Sequence, residues 1–141
     1  MMIDHVAIAV ADFDARLGFL TEQLGLGLRR IGRLTADPTR RIAMLADPRG
    51  VKVELVEAAD DGPDALLHLA FDTAEAGAVD ATFAALVAGG CDPAAPPSRF
   101  EPARSRTATV SRPGGGVFQL VAYDADSTDA ANVWMGEAAD A

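Results

Sequence analysis

Four side chains in this chain have the types and spacing to hold a metal ion: His5, Glu54, His68 and Gln119. His5 and His68 are the only two histidines, and they stand 63 positions apart. Each sits inside a similar run, Ile3-Asp4-His5-Val6-Ala7-Ile8 and Leu67-His68-Leu69-Ala70-Phe71. Glu54 and Gln119 are related by an offset of 65. The same offset carries Pro48 and Gly50 onto Pro113 and Gly115. Two imidazoles and a carboxylate suit a divalent cation, and an amide oxygen adds a weaker, neutral ligand. With one formal negative charge among the ligands, a divalent site keeps a residual charge of about +1. An octahedral shell would have two positions left for water or for adjacent oxygens of a substrate.

The elements that must position these residues follow from periodicity. Residues 3–10 alternate as a strand, with His5, Ala7 and Ala9 on one face and the greasier Val6, Ile8 and Val10 on the other. Asp12 is an N-cap for a helix over 13–24, with its stripe at Phe13, Leu17, Leu20 and Leu24 and a stop at Gly25. Residues 26–34, 41–46 and 51–56 read as strands, the last two joined by the turn Asp47-Pro48-Arg49-Gly50. On the last strand Lys52, Glu54 and Val56 share a face. The pattern restarts at 66–72. Asp72 and Glu75 resemble a capping box for a helix striped by Val79, Phe83, Leu86 and Val87. Residues 91–102 are a loop or an irregular edge strand, 103–111 a strand, 112–116 a turn and 117–122 the closing strand. The glycines at 114–116 join two strands and open no helix, so they are not a phosphate loop.

The expected fold class is therefore α+β: two tandem βαβββ modules whose concave mixed sheets form a cleft. They lie at 3–57 and 66–122 within one domain at 1–123. A small acidic tail, 124–141, is expected to be mobile except where Trp134 and Met135 dock.

Composition narrows the function. Net charge is −9, and five of the acids lie in the tail, which has no base. That balance argues against a nucleic-acid partner. No apolar run reaches the roughly 18–20 residues of a membrane helix. A single cysteine, Cys91, excludes an intrachain disulfide and suits the reducing cytoplasm. It reads as apolar filler rather than as a nucleophile. Eleven of twelve basic residues are arginine. Arg40, Arg41 and Arg104 are candidates for holding a substrate carboxylate or phosphate.

On the runs quoted above, together with Gln23-Leu24-Gly25-Leu26, 47–55 and 113–120, the chain resembles the vicinal oxygen chelate superfamily. That superfamily includes glyoxalase I, methylmalonyl-CoA epimerase, extradiol dioxygenases and the bleomycin- and fosfomycin-resistance proteins. The resemblance implies that His5, Glu54, His68 and Gln119 occupy the family's four metal positions. Gln119 departs from the glutamate usual at the last one, which removes the proton carrier of glyoxalase I. The implied activity is that of a metal-dependent lyase or isomerase on a small substrate chelated through adjacent oxygens. Glu54 is the nearest candidate base and Glu101 a further one, with nickel, cobalt, zinc, manganese or iron as the ion. The alternatives are a ferrous dioxygenase on the same ligands and a metal-free binding or resistance protein. Family analogy and the sheet edges point to a homodimer.

Overall fold

The computed structural model describes residues 1–130. The tryptophan expected to dock, Trp134, lies outside the described residues, as does Met135. The chain divides into two units: His5–Leu67 with the chain from Thr128 onward, and Met1–Asp4 with His68–Ser127.

In the first unit β1 (Met2–Val10), which belongs to it from His5 on, leads into α1 (Phe13–Gly18). The Asp12 side chain caps α1 by accepting from the Ala15 N–H at 3.0 Å. The expected helix over 13–24 is not uniform, because Phe19–Gln23 widens into a π turn. There the Leu24 N–H reaches back five residues to the Phe19 carbonyl, and the Thr21 hydroxyl bonds the Leu17 carbonyl at 2.8 Å. Gly25 ends the run at φ +75°, a conformation glycine adopts without a Cβ penalty. β2 (Gly27–Arg33), β3 (Arg41–Ala46) and β4 (Lys52–Glu57) follow. The strands lie in the order β2-β3-β4-β1, antiparallel except for the β4/β1 pair. The β3–β4 turn is closed by Asp47, whose carboxylate accepts from the Arg49 and Val51 N–H groups.

Phe13, Val10, Ala43, Leu45 and Leu55 form the core between helix and sheet, with Leu17 and Leu20 half-buried at its margin. The strand residues among them alternate with the site face, as period two requires.

The second unit repeats the plan with β5 (Ala65–Asp72), α2 (Ala76–Ala88), β6 (Asp92–Phe100), β7 (Ser105–Ser111) and β8 (Val117–Tyr123). The strand order is β5-β8-β7-β6, again with one parallel pair, β5/β8. Val79, Ala108, Leu120 and Ala122 make its core, flanked by half-buried Phe83 and Leu86. The fold class is thus α+β, built from two βαβββ modules.

Two sequence expectations are corrected here. Asp72 and Glu75 do not form a capping box. The helix starts at Ala76, so Glu75 is the cap position, and Asp72 instead accepts from the Ala74 N–H in a turn. The strand expected from 103 starts at Ser105, because Glu101–Ala103 form a 3-10 turn and Arg104 is left-handed at φ 46°. Within the acidic tail, 124–130 has no helix or strand. Ser127 is buried and donates to the Ala103 carbonyl, and Asp129 and Ala130 are buried too.

Candidate metal and anion site

The first module assembles its candidate ligands from lateral rows of the sheet. Residues paired across neighbouring strands present their side chains on one face. One row runs Arg30, Met44, Glu54, Ala7, and the next Gly27, Ala46, Lys52, His5. His5 and Glu54 therefore share the face opposite the helix, and the small Ala7 beside Glu54 leaves space over it. Both are buried, at 3% and 6% exposure, with Nε2 of His5 3.7 Å from Oε1 of Glu54.

Arg30 joins this row through a β-bulge. Leu28 pairs with Leu45 but Arg30, not Arg29, pairs with Met44, so Arg29 is the extra residue. Without the bulge, alternation would put Arg29 on the site face. Arg30 is buried, and its Nη2 lies 3.3 Å from Oε2 of Glu54. Its Nε donates to Oδ2 of Asp129 at 2.8 Å. Lys52, also buried, donates through Nζ to the Asp129 backbone carbonyl. Sequence reasoning missed Arg30 and Asp129. Lys52 and Glu54 on one face were the available signal, since a buried lysine calls for a partner.

The second module shows the same construction with different chemistry. Its row reads Ala95, Thr109, Gln119, Ala70. A register shift between Pro93 and Ala95 stands at the position equivalent to the one between Leu28 and Arg30. His68 precedes Ala70 by two residues, as His5 precedes Ala7, and both His68 and Gln119 are half-buried. Ala95 occupies the register of Arg30 and, at the same offset of 65, Val117 the place of Lys52. The candidate donors of the second module are formally neutral.

The other sequence candidates are engaged elsewhere. Arg41 bonds Glu57 and Asp14 and lies over the Phe13 ring, 4.6 Å from its centroid. Hydrogen bonds from the Arg41 side chain and backbone hold the Glu57 carboxyl down at about 2. Arg40 donates to the Glu57 carbonyl, Arg104 bonds Asp126, and Glu101 bonds Arg99.

The sequence profile of the Glyoxalase/Bleomycin resistance protein/Dioxygenase superfamily matches residues 2–120. The chain belongs to this superfamily. Methylmalonyl-CoA epimerase from Mycobacterium tuberculosis is 25% identical, at TM-score 0.70, over 87% of this chain and 88% of its own. A methylmalonyl-CoA epimerase solved with methylmalonyl-CoA and NH4+ is also 25% identical at TM-score 0.70, over 89% of this chain and 96% of its own. A halotolerant catechol dioxygenase shares the fold, with TM-score 0.70 but 12% identity, over 84% of this chain and 39% of its own. No curated protein matches the chain.

Members of the superfamily commonly bind a divalent metal, and His5 and Glu54 of the first unit could supply two ligands for one. The donor chemistry fits. Two ligands about 2.1 Å from a shared ion lie roughly 3–3.6 Å apart at ordinary coordination angles. The 3.7 Å between His5 Nε2 and Glu54 Oε1 is close to that spacing and longer than a hydrogen bond. Arg30 on the other oxygen is the outer contact that orients a ligating carboxylate. Among the described residues no helix is long and apolar enough to cross a membrane.

Proposed function

We propose that the protein is a metal-dependent isomerase or lyase that moves a proton next to the carbonyl of a small substrate bearing adjacent oxygens. The observation that carries this reading is the buried His5–Glu54 pair, repeated in register by His68 and Gln119. In this reading His5 Nε2, Glu54 Oε1, a His68 ring nitrogen and the Gln119 amide oxygen are the ligands. These residues would hold a divalent ion, which would supply Lewis-acid polarisation of a substrate carbonyl. Glu54, the one carboxylate of the set, is also the candidate base, and Arg30 fixes its second oxygen. Glutamine at 119 binds but transfers no proton, so a single carboxylate must serve both tasks. The epimerases, similar over nearly their whole length, favour the isomerase form of the proposal.

Two histidines and one carboxylate also match the facial triad of ferrous oxygenases, which supports a dioxygenase as the second reading. A metal-free binding protein is the third, and it leaves the repeated ligand set without a purpose. A cytoplasmic homodimer completes the proposal. Arg41 and Arg104 enter it only as cations whose present acid partners a substrate anion would have to displace.

The test starts with elemental analysis of untagged protein and reconstitution with nickel, cobalt, zinc, manganese or ferrous iron. Methylmalonyl-CoA and a panel of 2-oxo and 2-hydroxy acids are then followed by NMR in deuterium oxide. Metal-dependent deuterium exchange next to a carbonyl supports the isomerase. Oxygen uptake with iron alone moves the assignment to the dioxygenase. No metal binding at any ion sinks both and leaves the binding protein.

A further inference from the structure

We infer that Arg30 and Lys52 form a carboxylate-binding pocket beside His5 and Glu54, and that Asp129 fills it as an internal stand-in for a ligand. Both cations are buried on the site face of the first module. They reach it by separate means: Arg30 through the bulge in β2, Lys52 through the ordinary alternation of β4. Two buried cations on one sheet face are costly to desolvate unless anions meet them. Glu54 answers Arg30 through Nη2. The second anion is Asp129, 1% exposed, 99 positions from Arg30 and 77 from Lys52.

Asp129 presents two oxygens to two cations. Its Oδ2 takes the Arg30 Nε–H at 2.8 Å, and its backbone carbonyl takes Lys52 Nζ. That is the demand a free carboxylate with two oxygens satisfies by itself. The segment supplying it, 124–130, has no helix or strand and is fastened by turn bonds such as Ser127 N–H to the Asp124 carbonyl. Thr128 is exposed while Asp129 points inward. The second module has Ala95 and Val117 at the matching places, so the pair of cations is not needed to build the fold. Arg30 bridges Asp129 and Glu54, which puts the pocket one guanidinium away from the proposed ligand set. The ligand class is a small-molecule carboxylate. That it is the substrate's own carboxylate rests on the function proposed above; the pocket itself does not.

The experiment is a thermal-shift and calorimetric titration of the full chain with acetate and, separately, with inorganic phosphate, in chelator-treated protein. Wild type, Asp129→Ala, Asp129→Asn and Asp129→Ala/Arg30→Ala are compared. An internal competitor lowers apparent affinity by the fraction of molecules in which it is bound. Asp129→Ala is therefore expected to bind acetate at least about tenfold tighter than wild type. Acetate should restore its melting temperature towards the wild-type value, and adding Arg30→Ala should abolish both effects. Both substitutions keep the backbone contact to Lys52, and Asp129→Asn, which also keeps the side-chain volume, covers the case in which the alanine variant does not fold. Acetate affinity unchanged from wild type in Asp129→Ala, or in Asp129→Asn where only that variant folds, overturns the pocket. A phosphate response equal to or larger than that of acetate overturns the carboxylate assignment. Because metal is absent, a failure here is separate from a failure of the metal reading, and acetate rescue without any metal affinity would leave the pocket standing alone.

Discussion

Arg30 reaches across the width of β3 to place Nη2 3.3 Å from Oε2 of Glu54, with Met44 between them in the row. The same guanidinium holds Asp129, so removing it takes a cation from two buried carboxylates at once. Arg30→Leu is expected to cost about 3–5 kcal/mol, the usual range for breaking a buried ion pair from one side. Denaturant unfolding measures it, and a loss under about half a kcal/mol would show that the contacts contribute nothing to folding.

Metal content should follow the ligand set. His5→Ala and His68→Ala each remove a strong nitrogen ligand, and both are expected to lose most of the bound metal. Glu54→Gln should weaken binding by deleting the only ligand charge, and Gln119→Glu should strengthen it by adding a second. Calorimetry of nickel, cobalt, zinc and manganese into the apoprotein gives the order. Equal affinities for wild type and His5→Ala would remove His5 from the site.

Phe13→Ala should destabilise by about 3–5 kcal/mol, because the ring is fully enclosed between α1 and the sheet. Leu20→Ala sits at the margin of the same core and should cost less, about 1–2 kcal/mol. The two unfolding curves decide whether the π turn holds Leu20 at the edge of the core or within it.

Acid sensitivity has one identifiable contributor in Glu57. Arg41 holds its carboxyl at about 2 against an ordinary 4.5. A depressed carboxylate stabilises the fold fully above the unfolded value and loses that contribution as pH falls towards the folded one. The stability gap between wild type and Glu57→Gln should therefore be constant at neutral pH and shrink from about pH 4.5 down to about 2. A gap independent of pH over that window would rule the contribution out.

Much of this is legible in the sequence. The alternation around His5 and Glu54 and the 65-residue offset are properties of the chain itself, and period two turns them directly into a shared face. What could not be read is the register. A bulge is one extra residue among extended neighbours, and nothing in Leu28-Arg29-Arg30 marks which arginine is the extra one. The π turn at Phe19–Gln23 was hidden likewise, since its apolar spacing fits an ordinary helix. Asp129 was unreadable for another reason: its partners are 77 and 99 positions away, and a tail of small and acidic residues looks the same whether it is docked or free.

The docking of Asp129 also orders events during synthesis. Residues 5–67, Arg30 and Lys52 among them, are synthesised before Asp129. That carboxylate is encoded 62 positions beyond Leu67, on the far side of an entire second module. At translation rates of about 5–20 residues per second, that is a wait of roughly 3–12 seconds. Through that interval the first module lacks Asp129 as a partner for Arg30 and Lys52. It reaches its finished electrostatic state only when the returning chain delivers it, so the first half to be made is the last to be completed.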